Sequence, residues 1–251
     1  MANRCSLLLR YPKVRKFLIT ARLYLVNPHL WSPALKTIIR TPKARRLGIK
    51  IIKPRDTYIY LDVFDSSSNV IDVGCGQEAE LSMYLIDKYG LKSYGVDPTE
   101  KHQDALQKLE KLSNNRFQHV HVAVASTEGK MTFYETLDHE SGSLFKDHKN
   151  IISDRIRTYA VNALTIQGLL RHLKLPKADL IKLDLEGAEY ELLRTINYND
   201  LMPFRQIYIE FHHHAIGRYS KEDTILLVKQ IRRVGFDVFS LDDHNYLFYK
   251  L

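Results

Sequence analysis

The sequence predicts an α/β fold: a mostly parallel sheet flanked by helices and finished by an antiparallel hairpin strand at its C-terminal end. Three observations carry this. From about residue 69 onward, short apolar runs bounded by turn residues alternate with stretches of helical period, the pattern of βαβ units. The first run, Val70 to Val73, breaks at the glycines Gly74 and Gly76. The last two runs, Phe236 to Leu241 and Tyr246 to Tyr249, are joined by four polar residues, Asp242-Asp243-His244-Asn245, and so short a connection pairs its strands antiparallel.

The elements follow in order. After Val70–Val73, Leu81 to Tyr89 has helical spacing. Ser93 to Val96 is a second strand ending at Asp97. His102 to Leu112 is helical through Ala105, Leu106, Leu109 and Leu112. Phe117 to Val124 reads as one third strand, and Met131 to Tyr134 as a short extended run. The polar stretch Glu135 to Ser153 reads as a loop. Ala163 to Leu173 reads as a helix, Leu180 to Leu183 as a strand and Ala188 to Ile196 as the next helix. Gln206 to Phe211 is a strand and Glu222 to Val234 a strong amphipathic helix.

Length and charge narrow the classes. A chain of 251 residues, 45% hydrophobic and 26% charged, has the composition of an ordinary globular domain. No apolar run reaches the roughly 18 residues a membrane span needs, and the opening residues lack a signal-peptide core. The two cysteines, Cys5 and Cys75, make no disulfide framework, which fits a cytoplasmic protein. Charge divides the chain into an arm, 1–55, and a domain, 56–251. The arm holds 14 basic residues and no acidic one; the rest holds 23 basic and 29 acidic. The arm reads as short helices broken by prolines, with Val14 to Val26 one candidate. Such an arm attracts anionic surfaces, a membrane among them, or is simply a solvated cap. It lacks the interleaved aromatics of a nucleic-acid stacking surface, so nucleic acid is the disfavoured partner. The sequence is silent on oligomeric state.

A strand running into a glycine turn and then a helix lets a cofactor approach the backbone at the carboxyl edge of a parallel sheet. Gly74-Cys75-Gly76-Gln77-Glu78-Ala79 formally matches the G-x-G-x-x-G/A dinucleotide pattern. Glu78 opposes that reading, since its charge would sit where a pyrophosphate should meet the helix N-terminus. Asp72 just before the glycines opposes it too. S-adenosylmethionine carries no phosphate, and its ammonium and sulfonium favour nearby carboxylates. It is therefore preferred over NAD. Asp97, at the end of the second strand, is suited to accept both hydrogens of a ribose diol. Cys75 is read as a small residue that the turn tolerates.

DVGCG at 72–76, YGVDPTEKH at 94–102, AVASTEGKMTFYE at 123–135, DLIKLDLEGAEYELL at 179–193 and IYIEFHH at 207–213 resemble, in the same order, the FkbM-type methyltransferases. The resemblance covers about residues 69–250 and leaves the arm outside. It departs from the family's D-V-G-A-N-x-G block at Gly76 and Glu78. What it implies is a Rossmann-like class I methyltransferase with a seven-stranded, mostly parallel sheet. It also implies S-adenosylmethionine as donor and O-methylation of a hydroxyl on a sugar, glycan or related metabolite. On that footing Gly74 and Gly76 pass beneath the methionine part, Asp72 lies near its ammonium, and Asp97 and Pro98 meet the ribose. Ala125 and Ser126 lie where the adenine edge is read.

The acidic block and the histidines supply the chemistry. Asp184 and Glu186 follow the strand 180–183 at the ligand-binding edge. Asp184 is assigned to the site and Glu186 to the acceptor, while Glu189 is read as compensating a helix dipole. Lys182 is placed to pair with one of these carboxylates. Side chains alternate along a strand, so Glu210, His212 and His214 are expected to share a direction, with His213 turned toward the acceptor. Two site readings stand beside a bland, solvent-exposed histidine run. In one, His212 is the general base that takes the hydroxyl proton. In the other, less favoured one, Asp184, Glu210 and His212 hold a divalent cation. The long segment 135–153, with Ser141, Ser143, Lys146, His148 and Lys149, is expected to wall the acceptor. The alternatives are an RNA or protein methyltransferase using the arm, an NAD-dependent oxidoreductase, and a non-enzymatic module.

Overall fold

The computed structural model describes residues 33–53 and 56–250. The candidate helix Val14 to Val26 lies outside the described residues. The first described element, α1 (Pro33–Arg46), leads into β1 (Ile49–Ile52), which pairs antiparallel with β2 (Tyr58–Leu61). Ala44 and Ile49 are buried, so this segment packs on the domain. Lys36 Nζ and Arg40 donate to Asp243 at 2.8 and 2.7 Å and pin α1 to the C-terminal hairpin turn.

The main sheet contains β3 (Asn69–Val73), β4 (Lys92–Val96), β5 (Phe117–Val120), β10 (Ala178–Leu183), β11 (Phe204–Glu210), β12 (Asp237–Ser240) and β13 (Asn245–Tyr249). Its order is β12-β13-β11-β10-β3-β4-β5. Neighbours from β11 to β5 are parallel, and β13 runs antiparallel to both β11 and β12. This is the seven-stranded sheet and closing hairpin that the sequence predicts. Alternation along the strands builds two cores. Ile71, Val73, Ile181, Leu183 and Ile207 face α5 (Ile166–Leu173), α6 (Glu189–Thr195) and α7 (Lys221–Arg233). Val70, Leu180, Tyr208 and Leu247 face α2 (Glu80–Tyr89), α3 (Gln103–Leu112) and the β1–β2 ribbon.

Three expectations need correction. The single strand 117–124 is two: the Val122 N–H turns back to the Val120 carbonyl (3.0 Å), so β6 (Ala123–Val124) leaves the main sheet. It joins a second sheet of order β6-β9-β7-β8. The helix expected from Ala163 begins at Ile166, because the Thr165 hydroxyl caps it by accepting the Gly168 N–H (3.0 Å). Before it runs β9 (Ile156–Leu164), in which Val161 and Ala163 alternate inward. The expected loop 135–153 is largely ordered. β7 (Gly129–Thr136) extends through its start, β8 (Gly142–Ser143) pairs with β7, and α4 (Lys149–Ser153) closes it. No helix among the described residues is long and apolar enough to cross a membrane.

Candidate active site

The carboxyl ends of β3, β4 and β10 open into one cavity. The glycine turn forms its floor. Gly74 and Gly76 both hold left-handed backbone, at φ 71° and 64°. A Cβ on Gly74 would stand 2.0 Å from the Asp184 carbonyl oxygen, so the β3 and β10 turns touch through a position that only glycine can fill. Asp97 is 4% exposed. Its Oδ2 accepts the Gly76 N–H and its Oδ1 the Thr99 N–H, each at 2.9 Å. Burial pushes its carboxyl up, but His102 and Thr99 outweigh burial and hold it below the usual carboxylate range. It therefore stays ionised; Oδ2 also meets His102 Nδ1 at 3.4 Å, and Oδ1 keeps a lone pair for a further donor. Cys75, Pro98, Ala123, Val124, Phe133 and Leu144 complete this half of the cavity.

Asp72 is not on the cavity wall. It lies behind the turn, 1% exposed, where Ser82 Oγ donates to it at 2.8 Å and Ser93 Oγ donates to Ser82. Lys182 connects it to the site. Its Nζ donates to the Gly74 carbonyl (2.6 Å) and stands 3.4 Å from Asp72 Oδ1 and 3.2 Å from Asp184 Oδ2. Burial alone would discharge this ammonium, but Asp184 and Asp72 raise its pKa well above normal. Ala125 and Ser126 line a separate pocket with Met131 and Phe145. Their neighbours Ala123 and Val124 take the expected place on the cavity wall.

Asp184 and Glu186 line the opposite half. Glu186 has φ 48° and Gly187 φ 102°, and a Cβ on Gly187 would meet Ile216 Cδ1 at 1.7 Å. This tight, packed turn aims the Glu186 carboxylate at the site. His212 closes the group. Its backbone N–H donates to Glu189 Oε1 (2.7 Å), and its Nδ1 is 3.1 Å from the same oxygen. Its Nε2 lies 3.6 Å from both Asp184 Oδ1 and Glu186 Oε2. Burial lowers the imidazole's pKa, but Glu189, Glu186 and Asp184 together raise it well above normal. Burial and the nearby Glu186 charge raise the Asp184 carboxyl, against the pull of Lys182 and His212.

The remaining expected residues scatter. Glu210 is not in the Asp184–Glu186–His212 group, in which Glu186 takes its place. Burial and the Asp184 charge push its carboxyl up to about 8. His212 and His214 do share a side, with rings 5.8 Å apart. His213 turns away, 3.0 Å from Thr224 Oγ1 and stacked on His244 at 4.7 Å. Ser143 is buried and donates to the Glu186 carbonyl at 2.9 Å, so it shapes the turn. Ser141 lines the cavity and Lys146 does not. Two residues take roles other than those expected of them. Glu189, fully buried, accepts the Gly187 N–H (2.8 Å) as well as orienting His212. His148, 1% exposed, brings Nε2 to 2.9 Å from Glu186 Oε2.

The family model for the methyltransferase FkbM domain matches residues 68–238. No curated protein matches the chain. Among solved structures, it resembles the M. capricolum TrmK complex with S-adenosyl-homocysteine at 13% identity and TM-score 0.38, covering 74% of this chain and 62% of that one. A Methanococcus jannaschii fibrillarin pre-rRNA processing protein is 14% identical with TM-score 0.43 and 80% of each chain covered. The N-terminal domain of human METTL16 in complex with SAH is 12% identical with TM-score 0.42, covering 86% of this chain and 80% of that one.

Proposed function

The chain belongs to the FkbM methyltransferase family, and on that premise we propose that it is an S-adenosylmethionine-dependent O-methyltransferase acting on a hydroxyl of a sugar, glycan or related small molecule. One observation carries the cofactor reading. Among the described residues, seven carboxylates line the cavity against a single lysine, and Lys182 is already engaged by Asp72 and Asp184. A pyrophosphate would be repelled there, whereas a ligand bearing an ammonium and a sulfonium is attracted. Asp97 would accept a ribose hydroxyl through the lone pair that Thr99 leaves free on Oδ1. The apolar side chains of Phe133, Ala123, Val124 and Leu144 suit the adenine.

Bound there, S-adenosylmethionine supplies the electrophilic methyl group. The protein's own task is to align the acceptor oxygen and remove its proton. Asp184, on the cavity wall, is placed to receive that proton in the cation-free protein, and His212 at 3.6 Å with Glu189 behind it holds that carboxylate in place.

Calorimetric titration with S-adenosylhomocysteine, with NAD as the comparison, tests the cofactor. The expected result is binding of S-adenosylhomocysteine alone, weakened about 10- to 100-fold in Asp97→Asn, as the loss of a charge-assisted hydrogen bond predicts. Tight NAD binding, or an unchanged affinity in the variant, would sink the assignment. Transfer of labelled methyl to a panel of polyhydroxylated acceptors then tests the oxygen specificity.

A further inference from the structure

We propose that Asp184, Glu186 and His212 form a binding site for one divalent transition cation, of the Mn²⁺ class, on the acceptor side of the cavity. Each residue offers one donor atom, and the three atoms lie within 4.8 Å of one another. The His212 Nε2 is 3.6 Å from an oxygen of each carboxylate. Neighbouring ligands of a cation at about 2.1 Å stand about 3 Å apart, so each of the two His212 contacts needs to close by about half an ångström. Two carboxylates with one imidazole suit manganese, iron, cobalt or zinc better than the all-oxygen preference of calcium.

The surroundings set this group apart from an ordinary acidic cluster. Metal ligands are held by a second set of buried partners, and here each donor has one. Glu189, fully buried, takes the His212 Nδ1 side at 3.1 Å and so turns Nε2 toward the two carboxylates. Lys182 holds Asp184 Oδ2 at 3.2 Å while Asp184 Oδ1 faces His212. His148 Nε2 is 1% exposed, makes no well-directed hydrogen bond and points at Glu186 Oε2 from 2.9 Å. Backbone geometry adds to this: Glu186 occupies left-handed space at φ 48°, a conformation with a cost for a non-glycine residue, and Gly187 is locked beside it by Ile216. Asp184 and Glu186 line the cavity, so the cation's open positions face the place where an acceptor hydroxyl would enter. The catalytic use of the cation rests on the methyl-transfer reading above; its binding does not.

The test uses the full chain, free of any histidine tag and stripped with chelator, titrated with Mn²⁺ and followed by electron paramagnetic resonance. One equivalent is expected to bind, with nitrogen modulation from one imidazole in the pulsed spectrum of the wild-type protein. Asp184→Asn and His212→Ala should each weaken binding at least 10-fold, and Glu189→Gln about 10- to 100-fold. No stoichiometric binding, or bound Mn²⁺ without imidazole nitrogen, overturns the site even if a variant fails to fold. Equal affinity in folded Asp184→Asn and His212→Ala overturns it as well. Calorimetry with S-adenosylhomocysteine on the stripped protein separates the two readings. Cofactor binding without Mn²⁺ binding removes the cation alone, and Mn²⁺ binding without cofactor binding removes the methyl-transfer reading alone.

Discussion

Replacing Gly74 by alanine should damage both stability and cofactor binding, and Gly76→Ala is the internal control. Both residues are left-handed, at φ 71° and 64°, so both variants carry a backbone penalty of about 1–2 kcal/mol. Alanine returns about 0.4–1 kcal/mol of that by restricting the unfolded chain. Gly76 has open space where a Cβ would go, so its variant should lose no more than about 1.6 kcal/mol. At Gly74 the new Cβ would stand 2.0 Å from the Asp184 carbonyl oxygen, and that oxygen belongs to backbone that cannot rotate aside. The Asp184 N–H is bonded to the Val73 carbonyl at 3.2 Å and the Gly74 N–H to the Val96 carbonyl at 2.8 Å. The β3 and β10 turns must therefore separate by about 1 Å. Overpacking of that kind costs about 1–3 kcal/mol, for a total of about 1–4.6 kcal/mol. Urea denaturation gives the stabilities and S-adenosylhomocysteine calorimetry the affinities. Equal losses in the two variants would refute the claim that contact between the turns, and not the positive φ alone, demands Gly74.

Two further outcomes follow from buried charge. Lys182→Met keeps the volume but strips the ammonium from between Asp72 and Asp184, and a buried pair broken on one side loses about 3–5 kcal/mol; a urea midpoint within error of wild type would refute the role given to this lysine. At Asp243, burial pushes the carboxyl up but the hydrogen bonds from Lys36 and Arg40 outweigh it and hold it far below normal. A depressed folded pKa means stability that is full above the unfolded value of about 3.9 and lost as pH falls below it. The stability gap between wild type and Asp243→Asn should thus be constant above about pH 5 and close on acidification, and a gap that widens in acid would contradict the assignment.

The main sheet was legible because each of its strands carries its own local signal. Val70–Val73 and Leu180–Leu183 are buried on both faces and read as continuous apolar runs. Phe236–Leu241 and Tyr246–Tyr249 announce a hairpin by the four residues between them. The second sheet was not legible. β9 has five exposed positions, with only Val161 and Ala163 buried, so its apolar residues ran on into the following helix and hid the Thr165 cap. β6 is two residues long, and nothing in Phe117–Val124 marks the turn at His121 that sends those two residues to a different sheet.

The site divides along the same line. Asp97 could be placed because its role depends on one strand end and one glycine turn, and both are visible as spacing. The role of Glu189 depends on a partner 23 residues away. Its position in the first turn of α6 gives a sufficient local account, since any acid there compensates the helix dipole. Only the parallel pairing of β10 with β11 brings His212 over that turn and converts a helix-end carboxylate into the group that fixes an imidazole. His148 reaches Glu186 from a segment whose order depends on β7, β8 and an isolated bridge to Ile216. Each half-site was therefore readable to the extent that its contacts are local. The alternation that grouped Glu210 with His212 failed because the strand ends at Glu210. Past that point the chain turns, with the Ala215 N–H bonded to the His212 carbonyl at 2.9 Å, and a period of two no longer describes which way a side chain faces.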